Sequence, residues 1–303
     1  MSLSIAQHAR DRQGFSPDDP ARLAVRSALA DIADRIDRDE NAAMEGDVEG
    51  LHRLRAALRR LRGTVRTFKP LLEPAWATRT ADDCRWAGRW LGQVRDLDVL
   101  EARLREAIPE ADHEAFRPIL ERIKARRRPA RQALRQGLAS DRFRDLRERC
   151  RIASQRPPTV DEAERPCAEA LPALLESAWK SLRKHGRRLD RDDPDAAFHA
   201  VRIRAKRARY AAEMIAPGLP GKHADAARKL AKRATDIQDC LGSLQDTAVA
   251  SEFLAAARSR FPDNREVRRL LKRLLKAQER EAHRARADFR KLWEKLERVH
   301  GWT

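Results

Sequence analysis

Apolar residues recur along the chain at intervals of three and four positions, which is the spacing of one face of an α-helix. In the first such segment Leu29, Ile32, Ala33 and Ile36 follow this spacing, and Gly46 then interrupts it. Further interruptions fall at prolines and glycines, so the pattern predicts long helices joined by short loops. The predicted helices span roughly residues 18–44, 47–72, 76–107, 110–138, 141–153, 163–188, 193–216, 222–260 and 264–299.

The composition favours the same fold class. Of the 303 residues, 37% are charged and 5% are aromatic, and glycine occurs only 12 times. A chain rich in Ala, Leu, Arg and Glu and poor in β-branched residues favours helices over sheets. We therefore expect an all-α protein.

Two basic segments share one pattern. Residues 51–62 read LHRLRAALRRLR and residues 198–209 read FHAVRIRAKRAR, so both contain His-x-x-Arg-x-x-x-(Arg/Lys)-Arg-x-Arg at an offset of 147 residues. A second shared element, LGQVRDLD at 91–98 and LGSLQD at 241–246, recurs at an offset of 150 residues. Two different motifs repeated in the same order indicate internal duplication. We expect two antiparallel four-helix bundles, 18–153 and 163–300, joined by a Pro-rich linker at 154–162.

The charge balance predicts an anionic partner. Lys and Arg number 65 against 47 Asp and Glu, which leaves a net charge of +18. Such a surplus repels itself and is typical of proteins that bind nucleic acid, acidic membrane surfaces or polyphosphate. The chain has no apolar run of 18 residues, so we expect no transmembrane helix. Residues 1–13 lack the apolar core of a signal peptide. The four cysteines show no zinc-site spacing, so we expect buried thiols in a cytoplasmic protein without cofactor or metal.

The first basic segment forms a narrow stripe when it is drawn as a helix. Taking roughly 100° per residue, Arg55, Arg59, Arg62 and Arg66 fall within a sector of roughly 80° that also contains His52. The apolar residues of this segment lie beside the stripe and not opposite it, whereas an ordinary solvated face lies opposite the core and mixes charges. We therefore interpret the stripe as the wall of an anion site. The second copy places His199, Arg202, Lys206 and Arg209 at the equivalent positions and Glu213 in place of Arg66.

The Leu-Gly element predicts a surface that faces each stripe. On the first of these helices one face carries Arg85, Arg89, Gly92 and Asp96, and on the second it carries Arg228, Lys232, Gly242 and Asp246. Because glycine destabilises a helix interior by about 1 kcal/mol relative to alanine, we expect both glycines to allow close helix approach. We expect the two aspartates to pair with stripe arginines, Glu213 to pair with Arg209 or Arg202, and the surrounding cations to lower the pKa of both histidines.

The motif His52-x-x-Arg55-x-x-x-Arg59-Arg60-x-Arg62, followed by the Leu-Gly element, resembles the CHAD family of conserved-histidine α-helical domains. The second half matches through His199, Arg202, Lys206, Arg207 and Arg209, so the resemblance covers roughly residues 18–300. It implies two four-helix bundles related by a pseudo-twofold axis around a basic channel. It also implies binding of inorganic polyphosphate, association with polyphosphate granules, and a stand-alone binding module without catalysis. The predicted polyphosphate-binding residues are His52, Arg55, Arg59, Arg60, Arg62, Arg66, Arg85, Arg89, His199, Arg202, Lys206, Arg207, Arg209, Arg228 and Lys232.

Two other functions compete with polyphosphate binding. A nucleic-acid-binding helical protein would use the same charge, but the stripes adjoin the apolar seam and the chain has no recognisable nucleic-acid-binding motif. A metal-dependent phosphohydrolase could use His52, His199, Asp96, Asp98 and Asp246 as ligands. None of the eight histidines is followed by Asp, however, and arginines beside each histidine would repel a cation. Polyphosphate binding is therefore the favoured interpretation, with nucleic acid second.

Overall fold

The structure is a computed structural model that describes residues 14–261 and 263–302, and in this part of the chain it is all-α, as predicted. The segment 1–13, which is predicted to lack a signal peptide, lies outside the described residues. Most predicted helix ends agree with the observed ends within a few residues, although α2 ends at Thr67, five residues before the predicted end. The helices are α1 Ala21–Glu45, α2 Val48–Thr67, α3 Pro74–Glu106, α4 His113–Leu138, α5 Asp141–Gln155, α6 Cys167–Gly186, α7 Asp195–Ile215, α8 Gly221–Arg258 and α9 Arg265–Glu297.

The break between α1 and α2 illustrates how local sequence sets the helix ends. Gly46 ends α1 in the left-handed conformation, with φ 94°, which glycine adopts without a steric penalty. Asp47 then caps α2, because its carboxylate accepts hydrogen bonds from the backbone N–H groups of Glu49 and Gly50. The predicted cap is thus confirmed, and α2 begins with its basic face in a fixed rotation relative to α1.

The packing follows the chain order within each half and then crosses between the halves. In the first half α1 packs against α2 and α5, α2 against α3, and α3 against α4; in the second half α6, α7, α8 and α9 pack in sequence. The two stripe helices, α2 and α7, also pack against each other. One core runs through both halves and includes Leu54, Phe68, Phe198 and Ile215. The two predicted helical halves thus pack together through a shared core, and the first half includes the short fifth helix predicted at 141–153.

A second, smaller core also joins the halves, away from the contact between α2 and α7. It forms where the ends of α3 and α4 meet the ends of α8 and α9, and it contains Leu104, Ile119, Phe253 and Leu271. The halves therefore touch through α2 and α7 and again through the ends of the two long hairpins. The repeated motifs lie on α2, α3, α7 and α8, which surround the region between these two contacts.

The predicted linker is anchored to the first half. Glu73 donates its backbone N–H to Pro158 at 3.0 Å, and Val160 donates to Leu71 at 3.1 Å. These bonds join the linker to the turn that follows α2, so the two halves are connected by ordered backbone. None of the described helices is both long enough and apolar enough to cross a membrane.

Candidate functional site

The site lies where α2 and α7 pack against each other at Gly63 and Tyr210. Gly63 and Tyr210 occupy equivalent positions of the two repeats, at the offset of 147 residues. A Cβ at Gly63 would lie 2.9 Å from Cδ2 of Tyr210, closer than side chains normally approach. Because Gly63 has no side chain, the ring of Tyr210 fits between the two helices. The contact brings the two stripes together, as the sequence predicts for a site between the halves.

Five cations from the two stripes form what we call the central cluster: Arg55, Arg59, Arg202, Lys206 and Arg209. Their proximity is visible at Lys206, where burial and then the positive charges of Arg202, Arg59, Arg55 and Arg209 lower the pKa of the ammonium to about 7. Burial and the charge of Arg55 likewise lower the pKa of Arg59. Desolvation and like charge both disfavour the protonated forms, so the cluster is a site of unbalanced positive charge.

A cavity of about 410 Å³ between α2 and α3 extends this cluster into the first half. Its arginines are Arg55, Arg59, Arg62, Arg85 and Arg89, which places the predicted facing residues of α3 opposite the first stripe. A larger cavity of about 750 Å³ has mixed charge, because Asp83 pairs there with Arg142 at 2.7 Å and with Arg149 at 3.0 Å. Only the smaller of these two cavities therefore combines enclosure with a single sign of charge.

The two motif glycines each support an arginine of the central cluster. A Cβ at Gly92 would lie 3.6 Å from Nη2 of Arg55, and a Cβ at Gly242 would lie 3.5 Å from Nε of Arg202. The guanidinium groups thus lie over the glycines at equivalent places in the two halves. This agrees with the predicted close approach, although the group that approaches is a side chain and not the neighbouring helix backbone.

The two motif aspartates behave differently. Asp96 accepts a hydrogen bond from Nη2 of Arg55 at 3.2 Å, as predicted. Asp246 has no ion pair within the described residues, although Arg202 and Arg103 partly offset the rise in its pKa that burial causes. The charge of Asp96 also raises the pKa of Asp246, so the two carboxylates lie near each other between α3 and α8. The predicted pairing is therefore observed in the first half only.

The two histidines supply unpaired hydrogen-bonding atoms. Burial, followed by the charges of Arg95 and Arg59, lowers the pKa of His52, so its imidazole is neutral at pH 7. The Nδ1 atoms of His52 and His199 are buried and have no hydrogen-bond partner in the described chain. The Nε atoms of Arg59, Arg202 and Arg209 share this property. Because unpaired buried polar groups are costly, these atoms leave the hydrogen bonding around both stripes incomplete in the free protein.

Several predicted residues lie outside the central cluster. Arg60 pairs with Glu213 at 3.4 Å and with Asp31 at 3.8 Å, so its charge is already balanced. Arg228 is exposed and pairs with Asp225 at 2.6 Å, and Lys232 is exposed as well. Arg66 and Arg207 line a separate cavity. Of the fifteen residues predicted, eight belong to the cluster or line its cavity, and these five and the two histidines do neither.

The two halves contribute unequally to the site. Glu213 pairs with Arg209 at 3.7 Å as predicted, and it also reaches Arg60 of the other half. Aligned on the Leu-Gly element, Arg85 and Arg89 of α3 correspond to Thr235 and Asp239 of α8. The second half thus lacks the cations that complete the first-half cavity. The positive potential is concentrated on the side of α2 and α3.

Arg95 was not predicted as a site residue, yet it lies close enough to His52 to lower the pKa of the imidazole. It belongs to the Leu-Gly element but stands roughly 80° away from the face that carries Arg85. A face defined by one helix alone therefore excludes Arg95. The side chain reaches the site because His52 of α2 lies toward that flank of α3.

The glycine contacts lead to a test of the site geometry. We expect Gly242→Ala to leave anion binding unchanged and to stabilise the protein by up to about 1 kcal/mol, the helix-propensity difference between these residues. We expect Gly242→Leu to weaken anion binding, because its longer side chain would occupy the place of the Arg202 guanidinium. Thermal unfolding and calorimetric titration measure both effects. Equal binding by the two variants would contradict the position assigned to Arg202.

The fold and the site together define a class: an internally duplicated all-α protein in which equivalent basic helices of two halves meet. The family model described as the CHAD domain matches residues 27–255. Because this match covers most of the chain, the protein belongs to the CHAD domain family. The family resemblance read from the two motifs is thereby confirmed.

Known relatives of the chain include two mycobacterial proteins. It is 26% identical over 254 residues to the uncharacterized protein MT2285 of Mycobacterium tuberculosis strain CDC 1551. It has the same identity to the uncharacterized protein Rv2226 of strain H37Rv. The alignment covers 78% of this chain and 45% of each relative, so the chain spans less than half the length of these proteins.

Solved structures show the same fold. The crystal structure of the CHAD domain from the plant Ricinus communis superimposes with a TM-score of 0.75, at 26% identity and 95% coverage of both chains. PptA from Streptomyces chartreusis has a TM-score of 0.73 at 20% identity, covering 91% of this chain and 99% of that one. Both comparisons confirm the all-α architecture.

Proposed function

We propose that this protein binds inorganic polyphosphate in the central cluster and the adjoining first-half cavity. The observation that carries the proposal is the convergence of two duplicated stripes whose cations lower one another's pKa values. A linear polymer of phosphates offers negative charge and acceptor oxygens along its whole length. Arginine suits such a ligand because its planar group binds phosphate oxygens in pairs and stays charged when partly buried.

The surroundings of the cluster favour phosphate oxygens over nucleic-acid bases. Proteins that bind single-stranded nucleic acid commonly stack bases on aromatic side chains. Here Trp90 is buried in the shared core, and Trp76 and Trp86 pack against it. The aromatic ring at the contact of the stripes, Tyr210, is buried and is covered by Arg209 at 4.7 Å. The ligand surface is therefore made of cations and imidazole nitrogens.

We infer that binding occurs without hydrolysis. Hydrolysis of a phosphoanhydride requires a group that activates water, and a general base must lie within hydrogen-bond reach of the proton that it takes up. Burial, and then the charges of Arg95 and Arg59, lower the pKa of His52, which makes it a weak base. Binding without cleavage would let the protein associate with polyphosphate granules through the polymer itself.

A salt-dependent comparison of two polymers tests the proposal. We expect long-chain polyphosphate to bind more tightly than duplex DNA of equal charge at physiological salt, because the site is an enclosed groove. Calorimetric titrations at low, physiological and high salt measure both affinities and their salt dependence. Orthophosphate at equal total phosphate serves as the control for chain length, and a phosphate-release assay with Mg²⁺ or Mn²⁺ monitors cleavage.

Two results would overturn this assignment. Equal or tighter binding of DNA at physiological salt would favour a nucleic-acid-binding protein. Release of orthophosphate from the polymer in the presence of the metal would favour a phosphohydrolase.

A further inference from the structure

A second cavity, of about 620 Å³, lies between the turn after α2 and the helices α6 and α7. We call it the side cavity. Its cationic wall consists of Arg66, Lys69, Arg165, Arg204 and Arg207, against a single acid, Glu162. Its floor is apolar and includes Leu71, Ala170, Leu174 and Ala178. None of the five central-cluster residues lines this cavity, so it is a separate candidate site.

The internal duplication shows what the side cavity lacks. At the equivalent place in the duplication, Arg60 of α2 is neutralised by Glu213 of α7 and Asp31 of α1. The repeat places Arg207 at the position of Arg60 and Arg66 at the position of Glu213. Helices α1 and α6 both start directly after a proline, and aligned on Pro20 and Pro166 the counterpart of Asp31 is Ser177. Both acids that balance the first arginine are therefore missing around the second.

The resulting charge imbalance is visible in the side chains themselves. Burial, and then the charges of Arg66, Arg204 and Arg62, lower the pKa of Arg207 to about 10. Arg204 donates from Nη1 to the carbonyl of Ala200 at 2.8 Å, but its Nε is buried without a partner in the described chain. Arg207 therefore lies among other cations at the position where its counterpart Arg60 pairs with carboxylates, and the neighbouring Arg204 keeps a buried Nε without a partner in the described chain.

The floor of the side cavity is apolar. Leu71 is buried, and Ala170, Leu174 and Ala178 are partly buried against the shared core. Sites for small organic ligands commonly have volumes of about 300–1,000 Å³, largely apolar walls and a few polar groups that fix orientation. The side cavity has this combination.

We propose that the side cavity binds a small organic phosphate with an apolar body. The phosphate lies at Arg207 and Arg66 and supplies the negative charge that Glu213 supplies at the equivalent place in the other half. The apolar body lies on the floor formed by Leu71 and Leu174. The cations of the side cavity are different residues from those of the central cluster and the first-half cavity, and Arg62 of the first-half cavity lies near Arg66 and Arg207.

Decyl phosphate, used as a monomer in calorimetric titrations, is a direct probe of this site. We expect it to bind at least about 30-fold more tightly than methyl phosphate, since the decyl chain adds apolar surface to be buried. Decyl maltoside, which has the chain without the charge, is expected to bind at least about 30-fold more weakly than decyl phosphate. Equal binding of the maltoside, or no gain over methyl phosphate, would overturn the proposal.

Two variants locate the binding. Ala173 is an exposed lining residue of α6, so Ala173→Phe fills the cavity from its rim without disturbing the core. We expect it to weaken decyl phosphate binding at least about 10-fold by steric exclusion and to leave polyphosphate binding unchanged. The matched control is Ala255→Phe, at an exposed position of α8 outside the cavity. Equal loss in both variants, or loss in neither, would overturn the assignment.

Arg66→Glu provides an internal mimic of the ligand. The new carboxylate would occupy the position that Glu213 holds in the other half and would pair with Arg207. We expect a higher melting temperature and loss of decyl phosphate binding; retained binding would contradict the proposed place of the phosphate.

Vesicles that contain phosphatidic acid form a second arm of the test. Weaker vesicle binding by Ala173→Phe would assign a membrane lipid as a source of the ligand, and unchanged vesicle binding would assign a soluble one.

Discussion

Replacing Arg55, Arg59 and Arg202 together with glutamine is expected to weaken the binding of long-chain polyphosphate by at least about 100-fold while the helical fold is retained. Hydrogen bonds to charged groups contribute roughly 1.5–3 kcal/mol each. Losing three of them exceeds the approximately 2.7 kcal/mol that corresponds to a 100-fold change in affinity. Glutamine keeps the polar character of each position and adds no negative charge. Calorimetric titration measures the affinity, and circular dichroism reports the helical content.

The fold is expected to tolerate these substitutions because the cations stabilise it little. In the described chain Arg55 makes one ion pair, with Asp96, and that carboxylate is largely exposed. Burial, and then the charges of Arg55 and Arg202, lower the pKa of Arg59, so the three groups repel one another in the free protein. Removing them should leave the melting temperature unchanged or raise it. A lower melting temperature would show that these cations stabilise the free fold.

The matched control is Arg117, Arg144 and Arg290 changed to glutamine, which lowers the net charge by the same amount. Each of these arginines is exposed and pairs with an acid on its own helix, where ion pairs contribute about 0.3–0.5 kcal/mol. We expect polyphosphate affinity to change less than about 3-fold, because contacts distant from the groove are screened by salt. An equal loss in the control would mean that net charge, and not the central cluster, holds the polymer.

The sequence predicts those features of the site that depend on one helix at a time. The stripe on α2 follows from the helical repeat, and Leu54 and Leu58 fix its rotation because both are buried in the core. The position of Arg85 and Arg89 opposite this stripe follows from the same reasoning applied to α3. Because the second repeat has an equivalent sequence, we expect the same arrangement for Arg202 of α7.

Features that depend on how two helices cross are not predictable in this way. Arg60 belongs to the motif, but its pairing with Glu213 requires α2 to cross α7 near Gly63. Arg95 stands on the flank of its own helix and reaches the site only through the relative rotation of α2 and α3. The side cavity likewise forms only where the turn after α2 meets α6, so the sequence predicts Arg66 and Arg207 for the polyphosphate site and does not indicate a cavity lined by both.

Lys206→Met is expected to raise the melting temperature of the free protein at pH 7 and below, although it removes a ligand-binding cation. The folded protein holds the pKa of Lys206 at about 7, whereas the unfolded chain has a lysine pKa of about 10.4. The unfolded state therefore binds more protons between these values, and stability rises with pH across the interval. The destabilisation is fully present below pH 7 and disappears as the pH approaches about 10.4. The stabilising effect of methionine should follow the same course in thermal unfolding measured against pH.

The depressed pKa of Lys206 also predicts that polyphosphate binding takes up protons. A polyanion beside the ammonium favours its charged form, so at pH 7 binding should take up about half a proton at this site. The affinity should then increase as the pH falls from about 8.5 to about 7. Titrations in two buffers with different heats of ionisation measure the proton uptake. Burial, and then the charges of Arg95 and Arg59, lower the pKa of His52 in the free protein.

Lys206→Arg separates the charge of this position from its titration. Arginine stays protonated throughout the interval, so this variant should keep high affinity while losing the pH dependence and the proton uptake. Lys206→Met should bind weakly at every pH, because it presents no charge. A pH dependence that persists in Lys206→Arg would show that another group titrates on binding. A stability gain in Lys206→Met without loss of affinity would place Lys206 near the central cluster but outside the path of the polymer.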